Sequence, residues 1–277
     1  MNVGEKLQVD GEGGYEGGRL YDLALGMELE EDMALRIFNG IDADQGTPED
    51  DWGLKIDWPA WVEECHNTRS GRCFIFGSGP SLAEQLPLLQ GMDDETTFTV
   101  NRIGRWKDLP FTPKYHCVAE PGPLGGWGRI VWPQYSHNVS VARIAVNWYP
   151  VSAPGWLWCP KAPDDIQMRW EGWFGTGEKL PPLPTGWASP LTISQLAAWM
   201  GCTEIYFLGI DTTQMGQAWD KERGRTVEPR NIRSILECFE KAGRDAKRAG
   251  ITMRDCTPGG LINREGALEY LDLKALV

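Results

Sequence analysis

Four short constellations in this sequence carry residue types that can do chemistry. The first is Gly77-Ser78-Gly79-Pro80-Ser81, set between the apolar run Cys73-Phe74-Ile75-Phe76 and an amphipathic segment through Leu82, Leu86, Leu88 and Leu89 that Gly91 closes. That order predicts a strand, a tight turn and a helix. Glycine at 77 and 79 permits positive φ and close approach of a ligand to the backbone, and Pro80 suits a first helical position because its missing N–H would be unpaired there anyway. Free N–H groups at such a helix start would receive a phosphate. The turn lacks the third glycine of the dinucleotide fingerprint and the Gly-Lys-Ser/Thr of the P-loop, so a turn that holds no ligand stands beside the phosphate reading.

The other three constellations are polar ends of apolar segments: Asn101-Arg102, Glu120-Pro121 and Gly209-Ile210-Asp211. Asp211 follows the run Ile205-Tyr206-Phe207-Leu208, where a buried carboxylate costs several kcal/mol unless it is paired or useful, and it is expected to be functional more than a cap for the loop after it. Asp211 and Glu120 are the candidate catalytic carboxylates, each able to act as an activating base, with an exposed strand end as the alternative for Glu120. Asp220, Lys221, Arg223 and Arg225 form a polar stretch that can close over a donor and bring cations to its phosphates, with an ordinary solvated loop as the equal alternative. His66, His116 and His137 are not chosen as bases.

The elements needed to position these groups follow from pattern. Thr97-Phe98-Thr99-Val100-Asn101, Tyr115-His116-Cys117-Val118-Ala119, Glu204-Ile205-Tyr206-Phe207-Leu208 and Ile251-Thr252-Met253-Arg254-Asp255 read as further strands, and 141–146 adds one more. Ser189-Pro190 opens a helical segment that stops at Gly201, and Pro229 opens another that stops at Gly250, each just before a strand. Helix then strand, repeated, means crossovers, a mostly parallel sheet and a Rossmann-like α/β fold flanked by helices, with ligands at the carboxyl edge. Residues 1–70 read as an N-terminal extension: 1–14 without structure, 15–39 with helical spacing, an acidic linker at 42–51, and a lead-in helix anchored by Trp52, Trp58 and Trp61. Residues 71–277 are expected to form the Rossmann-like domain, nucleotide-binding if the turn holds a phosphate, with a Trp-rich insertion at 122–187 that serves as an acceptor wall or as a satellite core.

Composition sets the outer bounds. A chain of 277 residues, 42% hydrophobic, buries a large core, and a net charge of −12 argues against a general nucleic-acid binder. No run of about 18 apolar residues is present. The seven cysteines are odd in number and scattered without zinc-ligand spacing, which suits reduced thiols in a cytoplasm.

Taken in order, Gly77-Ser78-Gly79-Pro80-Ser81-Leu82, the strand ending in Asn101, the carboxylate-proline pair and Gly209-Ile210-Asp211 resemble two related families over about residues 72–277. One is the bacterial sialyltransferases typified by the Campylobacter lipooligosaccharide enzymes. The other is the MptE-like 6-hydroxymethylpterin diphosphokinase group. The first resemblance implies that Gly77, Ser78, Gly79, Pro80, Ser81 and Asn101 hold a cytidine nucleotide, with Gly209 and Asp211 beside it and Ser189 and Thr192 touching the donor; Arg102 is a further candidate phosphate contact. The sequence departs from that family after Asp211, where Thr212-Thr213 replaces its histidine and tyrosines. The second resemblance implies a magnesium–nucleotide complex near Glu120. Three functions follow as expectations: a glycosyltransferase that uses a nucleotide-activated sugar, a glycan or small-molecule acceptor and no cofactor; a Mg2+-dependent pyrophosphokinase acting from ATP on a small alcohol; or a non-catalytic nucleotide- or glycan-binding module.

Overall fold

A computed structural model of the chain describes residues 15–16, 19–22, 27–29, 60–101, 103, 106, 109–119, 139–147, 156–160, 174, 183, 188–212, 218 and 232–277. Near the start, β1 (Tyr15–Glu16), β2 (Arg19–Asp22) and β3 (Met27–Leu29) pair antiparallel in the order β1-β2-β3. This corrects the helix expected from the spacing of apolar residues across 15–39. Glu16 pairs with Arg19, and the two residues between them in sequence are Gly-Gly, a two-residue hairpin signal that outweighs a loose helical periodicity. The expectations for 1–14, for the acidic linker, for Arg102, Glu120 and most of the insertion, and for the polar stretch 220–225, fall outside the described residues.

The lead-in helix is α1 (Ala60–Glu64). The main sheet then takes β4 (Arg72–Phe76), β5 (Thr96–Val100), β6 (Tyr115–Val118), β7 (Ala142–Asn147), β8 (Trp156–Pro160), β9 (Glu204–Leu208), β10 (Thr252–Asp255) and β11 (Glu269–Tyr270). All eight are parallel, in the order β11-β10-β9-β4-β5-β6-β7-β8. Helices α2 (Leu82–Gln85), α3 (Ser189–Trp199), α4 (Ile232–Arg248) and α5 (Leu261–Arg264) lie between the strands in sequence.

The continuous apolar strands make sense because both faces of the sheet are covered. On β4, Cys73 and Ile75 enter one core while Phe74 and Phe76 enter the other; on β9, Ile205 and Phe207 alternate in the same way with Tyr206 and Leu208. The first core is closed by α3, by α4 through Phe239 and Ala242, and by Val62 of α1. The second is closed by Leu82 of α2, by Leu89, Met92 and Ile103, and by Leu273 near the carboxyl terminus. Of the insertion, Phe174 and Leu183 are buried in the first core. At those two positions the insertion completes the main core instead of forming a separate one.

Phe239 stands edge-on to Phe207 with ring centroids 5.6 Å apart, and neither is exposed. Phe239→Ala should therefore cost about 3–5 kcal/mol. Urea denaturation checks this against Arg233→Ala, whose exposed i,i+4 ion pair with Glu237 should leave the midpoint unmoved.

Candidate functional site

The chain runs outward from β4 through β5 to β8 on one side, and from β9 through β10 to β11 on the other. Strand order therefore reverses between β4 and β9, and the crevice at their carboxyl ends is where open α/β sheets bind ligands. The Gly77 turn leaves β4 at that point, and Gly209-Ile210-Asp211 leaves β9 beside it.

The two turns are pressed together. Gly77 N–H donates to the Leu208 carbonyl at 2.8 Å, and Gly79 N–H to the Gly209 carbonyl at 2.9 Å. A Cβ on Gly77 would lie 2.5 Å from the Gly209 oxygen, and one on Gly79 would lie 2.1 Å from Asp211 Oδ2. The sequence assigned the missing side chain at Gly79 to ligand approach; it is instead required by the neighbouring turn.

The expected cradle of free amides is also altered. Ser81 donates both its N–H, at 3.1 Å, and its hydroxyl, at 2.5 Å, to Asp211 Oδ2. The N–H groups of Leu82, Ala83 and Glu84 donate to the carbonyls of Gly79, Pro80 and Ser81. Helix α2 is only four residues long and passes into a 3-10 turn, Leu86–Leu88, because Pro87 cannot donate to an α-helical bond. Among the described residues, the turn retains one unbonded amide, that of half-buried Ser78, together with the Ser78 hydroxyl. The Ser78 carbonyl accepts the Ala218 N–H at 2.9 Å, which brings the segment after Asp211 back onto the turn.

Asp211 is thus a cap through Oδ2, the role that the sequence set against a functional one, while its Oδ1 takes no hydrogen bond from the described residues. Burial pushes its carboxyl above the usual range; the bonds from Ser81 pull it back, and the negative charges of Asp255 and Glu84 add to the rise. Among the described residues no three His, Cys, Asp or Glu side chains are grouped to hold a metal ion.

A second polar group lies along the same edge, at the ends of β5 and β6. Asn101 has φ +51, a left-handed conformation that asparagine tolerates better than most side chains. Its Oδ1 accepts the Ala119 N–H at 3.1 Å and its Nδ2 donates to Ser189 Oγ at 2.9 Å, while the Ser189 hydroxyl donates to the Ala119 carbonyl at 3.2 Å. Asn101 and Ser189 are therefore brought together at the carboxyl edge. Thr192, one turn into α3, is fully buried, so its expected donor contact is not presented at that edge.

Of the three histidines, His66 and His116 are described and His137 lies outside the described residues. His116 is fully buried in β6 against Thr99 Oγ1 at 3.0 Å, and His66 stacks on Trp199 with centroids 4.1 Å apart. All seven cysteines are free thiols. Cys256, beside the site, is pushed up to about 12, chiefly by burial.

Sequence reasoning missed the far side of the Asp211 corner. Asp255, fully buried at the end of β10, accepts the Thr257 N–H through Oδ1 at 2.9 Å and the Asn263 amide through Oδ2 at 2.8 Å. Thr257 Oγ1 in turn accepts the Ile210 N–H at 3.1 Å. The signal that singled out Asp211, a carboxylate after an apolar run, is weaker at Asp255, whose strand Thr252-Met253-Arg254-Asp255 carries a threonine and an arginine.

With this geometry in place, solved structures give the fold a counterpart. The MAf glycosyltransferase from Magnetospirillum magneticum AMB-1 aligns over 78% of this chain with a TM-score of 0.52 and 18% identity. The two share a fold. This chain spans 38% of that protein's length. Sialyltransferase CstII from Campylobacter jejuni, solved with cytidine-5′-monophosphate, aligns over 73% of this chain and 85% of its own, with a TM-score of 0.44 and 15% identity. No family model and no curated sequence matches. No helix among the described residues is long and apolar enough to cross a membrane.

Two outcomes follow from the pinched turns and the buried carboxylates. Gly79→Ala should destabilise the protein by about 1–3 kcal/mol through overpacking, and its cost should be less than additive with that of Asp211→Ala, which removes one of the clashing groups; urea denaturation of the four proteins checks this. Burial makes both Asp211 and Asp255 hold a proton more tightly in the folded chain than in the unfolded one. The stability they contribute is full below the ordinary carboxylate range and lost as pH rises through their raised values. Whatever fixed offset Asp255→Asn introduces, the melting temperature of the variant minus that of the wild type should climb as pH rises above the ordinary carboxylate range.

Proposed function

We propose that the chain is a glycosyltransferase that moves a sugar from a nucleotide-activated donor to the hydroxyl of a glycan or small-molecule acceptor. The observation that carries this reading is the meeting, at the reversal of strand order, of the Ser78 amide and hydroxyl and one Asp211 oxygen, all without a partner among the described residues, with the polar Asn101–Ser189 group on the next strands. Ser78 N–H and Oγ–H suit one phosphoryl group, and Asn101 and Ser189 suit the sugar and base of the nucleoside. Asp211 Oδ1 takes the proton of the acceptor hydroxyl as that oxygen bonds to the anomeric carbon. The bond from that carbon to the donor phosphate breaks, and the nucleotide leaves with the electron pair. A carboxyl raised by burial is a stronger base than an exposed one. The glycosyltransferase fold shared with MAf agrees with this reading.

Cytidine nucleotides lead the test because the sequence motifs resemble enzymes that use them. Calorimetric titration with CMP, CDP, UDP, GDP and ATP should find a cytidine nucleotide bound, weakened about tenfold or more in Ser78→Ala and in Asn101→Ala. Asp211→Asn should lower turnover of the matching nucleotide sugar at least tenfold, about 1.4 kcal/mol. Binding of none of the five overturns the proposal. ATP turnover to AMP that EDTA abolishes would replace it with the pyrophosphokinase, and tight binding without turnover would replace it with the binding module.

A further inference from the structure

We infer that Thr257 is the positioning residue of the Asp211 corner: its hydroxyl receives the Ile210 N–H and so fixes the backbone from which Asp211 reaches Ser81. The inference rests on the reading of this corner as the donor site, but its grounds are independent of any ligand. The last ladder bond on that side of β9 runs from Cys256 N–H to the Phe207 carbonyl. Gly209, at φ +66, then turns the chain out of the sheet, which leaves the buried Ile210 N–H with no strand partner. Thr257 Oγ1, 3.1 Å away, supplies the acceptor.

Thr257 is itself held from three sides. Its N–H is bonded to Asp255 Oδ1, and its carbonyl accepts Asn263 Nδ2 at 2.8 Å and Gly260 N–H at 3.1 Å. A Cβ on Gly260 would stand 3.0 Å from Thr257 Cβ, so the loop after β10 closes tightly on this one side chain. Thr257 and Asp255 are both fully buried, and neither touches the crevice by a bond of its own. Loss of the hydroxyl leaves Ile210 N–H to find water by rotating its peptide, and Asp211 is the next residue. A buried donor without an acceptor is costly enough to drive such a rearrangement.

The test reads the Ser81–Asp211 contact directly. Ser81 N–H donates to the Asp211 carboxylate, so its amide resonance should move with pH as Asp211 titrates, and Asp211→Asn should abolish that movement. The other charges facing Asp211, Glu84 from α2 and Asp255 from β10, are separated by that control. In Thr257→Val the pH response of Ser81 should be lost while the remaining amide spectrum stays folded, and Thr257→Ser, which keeps the acceptor, should restore it. If Thr257→Val does not fold, Thr257→Ala is measured in its place. A full Ser81 response in the variant without the hydroxyl overturns the inference, and so does loss of the response in Thr257→Ser. Calorimetry with CMP on the same proteins separates the two levels: an altered Ser81 response without nucleotide binding in the wild type leaves the positioning role standing and removes the proposed function. Where CMP binds, Thr257→Val should weaken it at least about threefold and Thr257→Ser should not.

Discussion

Everything at the carboxyl edge depends on how closely two backbones approach where β4 and β9 end. Two hydrogen bonds, from Gly77 to Leu208 and from Gly79 to Gly209, extend the parallel pairing of those strands past the sheet and into the turns. No side chain fits between them, since a Cβ at Gly77 or Gly79 would stand 2.5 Å or less from an oxygen of the other turn. Glycine is needed at these positions because a second turn occupies the space, and only then because of any conformational freedom it brings. The pinch also delivers the Asp211 carboxylate to Ser81, which satisfies a donor that helix α2 would otherwise leave exposed at its start.

This arrangement moves recognition away from where a glycine-rich turn usually exercises it. In phosphate-binding loops the helix start offers several free amides to the anion; here Asp211 and the turn's own carbonyls take them, and Ser78 is left as the donor. The remaining polar groups sit one and two strands away, where Asn101 bridges the ends of β5 and β6 to the first turn of α3. Asn101 makes that bridge from a left-handed backbone, and its bonds to Ala119 and Ser189 hold it there. The site is therefore spread along the edge instead of concentrated in one loop, which suits a ligand with a phosphate at one end and a base at the other.

How much of this was legible in the sequence differs by kind of evidence. Strands β4 and β9 announced themselves because a strand buried on both faces is apolar nearly throughout, β5 by its alternation, and β6 and β10 by short runs whose flanking turns carry glycine, proline or a polar residue. β8 did not, since Trp156-Leu157-Trp158-Cys159-Pro160 lies among prolines and tryptophans with no distinguishing period. β1 to β3 were misread as helix because apolar residues over 15–39 match a helical period, while the decisive signal was the Gly-Gly pair between Glu16 and Arg19. For the candidate site, residue types singled out Ser78, Asn101 and Asp211 and the family resemblance added Ser189, but neither told which partners would claim their hydrogen bonds. Whether a turn amide is free depends on a carbonyl more than a hundred residues away. Local sequence does not encode that.

The electrostatics add a constraint that the geometry alone does not express. Asp255 and Glu84 lie close enough to raise the Asp211 carboxyl together with its burial, so a phosphate brought to Ser78 would meet negative charge already there. Bringing a further anion there would raise the Asp211 carboxyl again, and bound phosphate and ionised Asp211 therefore oppose each other unless a cation comes between them.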